Sequence, residues 1–98
     1  MASLHIEHPI TDLATWTRAY ATFSELRRTA GVSRESVRQP VDDPCYIVVD
    51  LEFETRDQAR EFLAFLEANV WPSLESSPAL AGSPDAKILE DVEITAVL

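Results

Sequence analysis

Eight residues in the middle of the chain, Tyr46 to Phe53, constrain the fold more than any other segment. Ile47, Val49, Leu51 and Phe53 alternate with Tyr46, Val48, Asp50 and Glu52. Successive side chains of a strand point to opposite faces, so this run is an extended strand with one apolar and one mixed face. Such a strand needs helices against its apolar side and neighbouring strands along its edges. The rest of the chain has to supply both.

Upstream, Ser3 to His8 alternates with Leu4 and Ile6 on one face and His5 and Glu7 on the other, and reads as a half-buried first strand. Pro9 ends it, and Thr11 or Asp12 is placed to cap the first helix. That helix is expected to run to about Ala30 on a stripe of Leu13, Trp16, Tyr20, Phe23, Leu26 and Ala30, with Gly31 as its stop. Ser33 to Arg38 reads as a second, more polar strand, and Asp42-Asp43-Pro44 as a turn. The second helix is expected over Arg56 to Val70, with Ala59, Phe62, Leu63, Leu66 and Val70 on one face, Thr55 or Asp57 as cap and Trp71-Pro72 as its end. Pro72 to Pro84 reads as a loop with at most one irregular helical turn, and Lys87 to Leu98 as a final strand.

The order strand, helix, strand, strand, helix, strand is the split βαβ pattern. It predicts an α+β fold of ferredoxin-like βαββαβ type, a four-stranded antiparallel sheet with two helices on one face, in a single domain spanning residues 1–98. Tyr46 and Val48 on the open face argue for a second copy as its cover, and the long final strand for pairing with that copy. The 98 residues make a limited core, which self-association would extend.

Composition narrows the partners. A formal net charge of −9 and an isoelectric point near 4.5 argue against nucleic acid and anionic membranes. With no leader-like start and no long apolar run, the expectation is a cytoplasmic protein. Cys45 is the only cysteine and is expected to be a small buried packing group. Gly31 and Gly82 are the only glycines, so no glycine-rich phosphate loop exists, and two histidines near one end make a poor metal set. The expectation is no cofactor and no metal.

His8-Pro9-Ile10-Thr11-Asp12, Trp16, Arg27-Arg28-Thr29-Ala30-Gly31, Asp42-Asp43-Pro44, and Ala59 with Phe62 together resemble the dimeric α+β barrel superfamily, which includes the antibiotic-biosynthesis monooxygenases. The resemblance covers nearly the whole chain and implies the fold and a homodimer. Its haem-degrading branch uses an Asn on the first strand with a later Trp and His. Here the only Asn is Asn69 and no His follows His8, and the polar residues used by the cofactor-free quinone-forming oxygenases of the group do not map onto this sequence position by position, so the resemblance implies neither activity.

His8 shares a strand face with Leu4 and Ile6, where a neutral imidazole serves as base or hydrogen-bonding group toward a ligand, or else ties down the strand-to-helix corner. Asp50 is the second catalytic candidate: Asp50 and Glu52, two apart on one strand, point the same way, unless basic neighbours neutralise them. Trp16, Tyr20, Tyr46 and Trp71 are the substrate-binding candidates, with packing as the alternative use of the tryptophans. His5 is expected to be exposed. Two functions stay open: a monooxygenase-like or cyclase-like enzyme acting on a small apolar or aromatic substrate, and a non-catalytic small-molecule-binding or accessory dimer.

The register of the second and third strands is also constrained. Opposite residues should have numbers summing to about 84 with even parity, since odd parity would drive Arg34 and Arg38 against the helices. That register places Arg38 with Tyr46, Ser36 with Val48, and Arg34 with Asp50 as a cross-strand ion pair.

Overall fold

A computed structural model of the chain describes residues 1–94. Its strands are β1 (Ala2–Pro9), β2 (Arg34–Arg38), β3 (Tyr46–Phe53) and β4 (Asp85–Glu90), and its helices α1 (Leu13–Thr22), α2 (Ser24–Thr29) and α3 (Arg56–Phe65). The four strands form one antiparallel sheet, as predicted, and its order is β2-β3-β1-β4.

Alternation decides which face is covered. Leu4 and Ile6 of β1 and Ile47, Val49, Leu51 and Phe53 of β3 are buried beneath the helices, with Ala59 and Phe62 of α3 packed on them. Burying four or five aliphatic side chains at about 1.5–3 kcal/mol each is the main term holding α3 to the sheet. Phe53 and Phe62 extend the contact, with ring centroids 6.0 Å apart. The start of α3 is fixed by a capping box, in which Thr55 Oγ1 accepts from the Gln58 amide and the Gln58 side chain accepts from the Thr55 amide.

The first predicted helix is two. It breaks at Phe23, where the Thr22 hydroxyl donates back to the Ala19 carbonyl and the Phe23 backbone leaves the helical region at φ −100°, ψ 15°. Asp12 caps α1, its Oδ1 accepting from the Thr15 amide at 2.8 Å. At the end of α2 the predicted stop holds: Gly31 adopts φ +101°, and the Val32 and Gly31 amides donate back to the Arg27 and Arg28 carbonyls in a Schellman arrangement. None of the ten residues of α1 is buried, so this helix stands off the sheet that α3 packs against.

The second helix is α-helical only to Phe65. Leu66–Val70 closes as a π-turn, with the Trp71 amide donating to the Leu66 carbonyl. The segment after it is more ordered than a plain loop. The Ser77 hydroxyl lies 2.7 Å from the Val70 carbonyl, Ile10 and Leu80 form a β-bridge, and Ala79 is buried. Gly82 comes so close to Pro9 that a Cβ would lie 2.7 Å from the proline ring.

Three other expectations are corrected. The last strand is Asp85–Glu90, followed by irregular chain over 91–94; the rest of the predicted Lys87 to Leu98 strand lies outside the described residues. Cys45 is exposed, because it precedes β3 instead of lying in it. The open face of the sheet is mostly charged, carrying His5, Glu7, Asp50, Glu52, Arg34, Arg38 and Lys87 around Tyr46, Val48 and Leu89, so apolar exposure does not by itself demand a cover.

The parity of the β2–β3 register is even, as predicted, but the pairing slips by two residues: Arg34 lies opposite Glu52, Ser36 opposite Asp50 and Arg38 opposite Val48. Tyr46 and Ile47 run past the end of β2 and pair only with β1. The predicted Arg34–Asp50 ion pair is therefore replaced. Arg38 Nη2 sits 3.0 Å from Asp50, while Arg34 reaches Glu52 at 3.9 Å.

Candidate functional site

Because α1 stands off the sheet, a cavity of about 90 Å³ remains between the helices and the sheet's covered face. Ile6 and His8 of β1 and Val49 and Leu51 of β3 form its floor. Trp16, Ala19 and Tyr20 of α1, with Phe23, Leu26 and Arg27, form one wall. Phe62, Leu66, Val70 and Trp71 close the opposite side, and Ser76, Ser77, Ala79 and Leu80 complete it. The break at Phe23 and the π-turn at Leu66 both border this space, where they turn side chains into it.

His8 is 5% exposed. Its Nδ1 lies 2.9 Å from the Pro9 carbonyl, which can only accept, so Nδ1 carries the proton and Nε2 is left as a lone-pair acceptor. Burial holds its pKa below the ordinary histidine value, with the Pro9 carbonyl pulling weakly the other way. His8 is thus a neutral imidazole at neutral pH, in a setting that is apolar on nearly all sides.

Trp16 stacks on Tyr20 with centroids 4.6 Å apart and ring planes inclined by 17°. The Arg27 guanidinium carbon lies 3.5 Å from the Tyr20 ring centre. The Tyr20 hydroxyl donates to Glu35 Oε1 at 2.8 Å, and burial, then this carboxylate, push the phenol's pKa well above its ordinary value. Tyr20 therefore stays protonated and packs as a fixed ring. Arg27 is 6% exposed; its Nη1 donates to the Tyr20 carbonyl at 2.6 Å and its Nε to Glu35 Oε2 at 3.4 Å.

Of the residues singled out from the sequence, His8, Trp16, Tyr20 and Trp71 meet in this cavity. Asp50 and Tyr46 do not: both project from the opposite face of the sheet. There His5 is half-buried, not exposed, with Nδ1 at 2.7 Å from Asp50 and Nε2 at 2.7 Å from Glu7, and Tyr46 donates to Glu7 at 2.8 Å. Asp50 is paired with His5 and Arg38 and lies on the face of the sheet opposite His8.

Arg27 and Glu35 were missed, and each had a signal. Arg27 continues the spacing Trp16, Tyr20, Phe23, the place of an apolar residue on that stripe. Even parity, which puts Arg34 and Arg38 on the open face, puts Glu35 and Val37 on the helix side, where a carboxylate calls for a cation.

No family model and no curated protein matches the sequence. Solved structures do match its fold. A cofactor-independent oxygenase from Streptomyces nogalater, SnoaB, aligns with a TM-score of 0.72 at 14% identity over 96% of this chain and 95% of its own. The monooxygenase ActVA-Orf6 of Streptomyces coelicolor, solved with nanaomycin D, aligns with a TM-score of 0.62 at 19% identity over 99% and 90%. A protein of unknown function from Nitrosomonas europaea aligns with a TM-score of 0.67 at 15% identity over 99% and 94%. The chain has the fold of the antibiotic-biosynthesis-monooxygenase proteins, as its sequence resemblance implied.

Proposed function

We propose that the cavity takes a small aromatic molecule and that His8 acts on it as a base, making the protein a monooxygenase-like enzyme. The observation that carries this reading is the cavity's chemistry. Its walls are apolar and aromatic, and His8, held neutral by burial and with Nε2 left as a lone-pair acceptor, is the basic group that lines it. A space of about 90 Å³ limits what it can take to a small molecule.

The oxygen chemistry is borrowed from the fold neighbours, one of them a cofactor-independent oxygenase and another a monooxygenase solved with nanaomycin D. On a hydroxylated ring, His8 Nε2 takes the phenolic proton, leaving an electron-rich phenolate. Four electrons from the ring then reduce dioxygen: one oxygen atom replaces a ring hydrogen and becomes the second carbonyl of a quinone, and the other leaves as water. Phenol plus dioxygen gives quinone plus water, with no outside reductant.

The test is oxygen uptake in the presence of monohydroxy- and dihydroxybenzenes, measured for the protein and for His8→Gln. Uptake above background that falls by about 10²-fold or more in the variant supports the reading. Binding of such compounds with no uptake favours the second reading, a non-catalytic ligand-binding protein.

A further inference from the structure

We propose that Arg27 makes the cavity selective for aromatic molecules bearing an acidic oxygen, such as a carboxylate or phenolate, over their neutral counterparts. This inference rests on the cavity's being a ligand site. The chain as a whole carries a net charge of −9, yet at neutral pH the one formal charge on the cavity wall, among the described residues, is positive: His8 and Tyr20 are neutral there, and Glu35 holds Arg27 from outside the lining. In a site walled by apolar groups, an attraction that water would screen keeps much more of its strength.

The guanidinium is held in a fixed pose. Nη1 is bound to the Tyr20 carbonyl, which also accepts from the Phe23 amide, Nε points to Glu35, and the guanidinium carbon lies over the Tyr20 ring. Of its five N–H groups these contacts engage two, and Nη2 has no hydrogen-bond partner among the described residues. Among those residues no buried side-chain nitrogen or oxygen is left without a partner, so Nη2 is not sealed in protein, and Arg27 is one of the residues that line the cavity. The contact to Glu35 is long at 3.4 Å, and the Glu35 side chain is 43% exposed against 7% for Arg27, so water screens the carboxylate more than it screens the guanidinium. A donor held this way need not be ordered when the ligand arrives.

Benzoate and benzamide, nearly equal in shape and different in charge, separate the possibilities when titrated calorimetrically. The protein should bind benzoate about tenfold or more tightly than benzamide, and Arg27→Met should remove that preference, bringing the two affinities together. Because Arg27 also ties the end of α1, Glu35→Gln provides a second reading that leaves the guanidinium in place: loss of its counter-charge should increase the benzoate preference. Equal binding of the two compounds, or a preference indifferent to both substitutions, overturns the role of Arg27 while the cavity remains a ligand site. If neither compound binds, the ligand site itself fails, and this inference with it.

Discussion

His5 and Asp50 face each other across β1 and β3, with Nδ1 and Oδ1 2.7 Å apart, while the other ring nitrogen of His5 meets Glu7 at the same distance. Two carboxylates can be served only by an imidazole with both nitrogens protonated, so His5 is a cation where His8, on the opposite face of the same strand, is neutral. Glu7 first and Asp50 second raise the His5 pKa above 6.5. A raised value means that the folded state holds the proton more tightly. The stabilisation is complete below 6.5 and is lost as pH rises through the higher folded value. Glu7, whose pKa is lowered from 4.5 chiefly by His5, gives its share above that value and loses it as pH falls further. His5→Gln should therefore be less stable than the parent between these limits and converge with it at alkaline pH, as measured by urea unfolding across pH. A deficit that grows toward alkaline pH would contradict the pairing.

His8 has the opposite sign. Its lowered pKa means that protonation favours the unfolded chain, so its burial costs stability as pH falls below 6.5. Replacing His8 with Gln should flatten the acid side of the stability profile. A steeper acid side in the variant would show that His8 is charged in the folded protein.

Gly31→Ala places a Cβ 2.7 Å from Gln58 Nε2 on a backbone with φ +101°. The expected loss is about 1–3 kcal/mol of unfolding free energy, carried by the backbone and by disturbance of the Gln58 capping box.

Tyr20→Phe removes the hydroxyl bond to Glu35 and keeps the ring stacked with Trp16 and Arg27. Stability should fall by about 0.5–1.5 kcal/mol, evenly across the neutral range because the phenol does not ionise there. A pH-dependent deficit near neutrality would mean that Tyr20 titrates.

We propose that the homodimer implied by the sequence resemblance forms through the charged open face of the sheet. Light scattering at micromolar concentration should return twice the chain mass of 10.9 kDa, and raised salt should weaken the association if the charged residues carry it. A monomer mass at all concentrations would remove it.

Much of this was legible in the sequence because burial follows parity. The alternation over Tyr46 to Phe53 assigned every side chain of β3 to its face, and that over Ser3 to His8 placed His8 beside Leu4 and Ile6. What was not legible depends on side-chain-to-backbone contacts that no hydrophobic period encodes. Parity cannot set where β2 ends against β3; the Gln39–Cys45 connection does, with the Gln39 amide reaching the Pro44 and Tyr46 carbonyls and Asp43 accepting from the Cys45 amide. The break at Phe23 has no glycine or proline to announce it. Asp50 and His8 were candidates for a common site, but residue parity alone separates them: His8 pairs with Ile47, and Asp50 with His5.

Trp16 and Trp71 are the only tryptophans in the chain and both line the cavity, so intrinsic fluorescence reads that space directly. Titration with benzoate should give a saturable change in emission with a rise in Tm, and both should vanish in Ala19→Leu, where added side-chain volume fills the space from α1 in a protein that still folds. A response that never saturates, or one that Ala19→Leu retains in full, would contradict the assignment of the cavity as the ligand site.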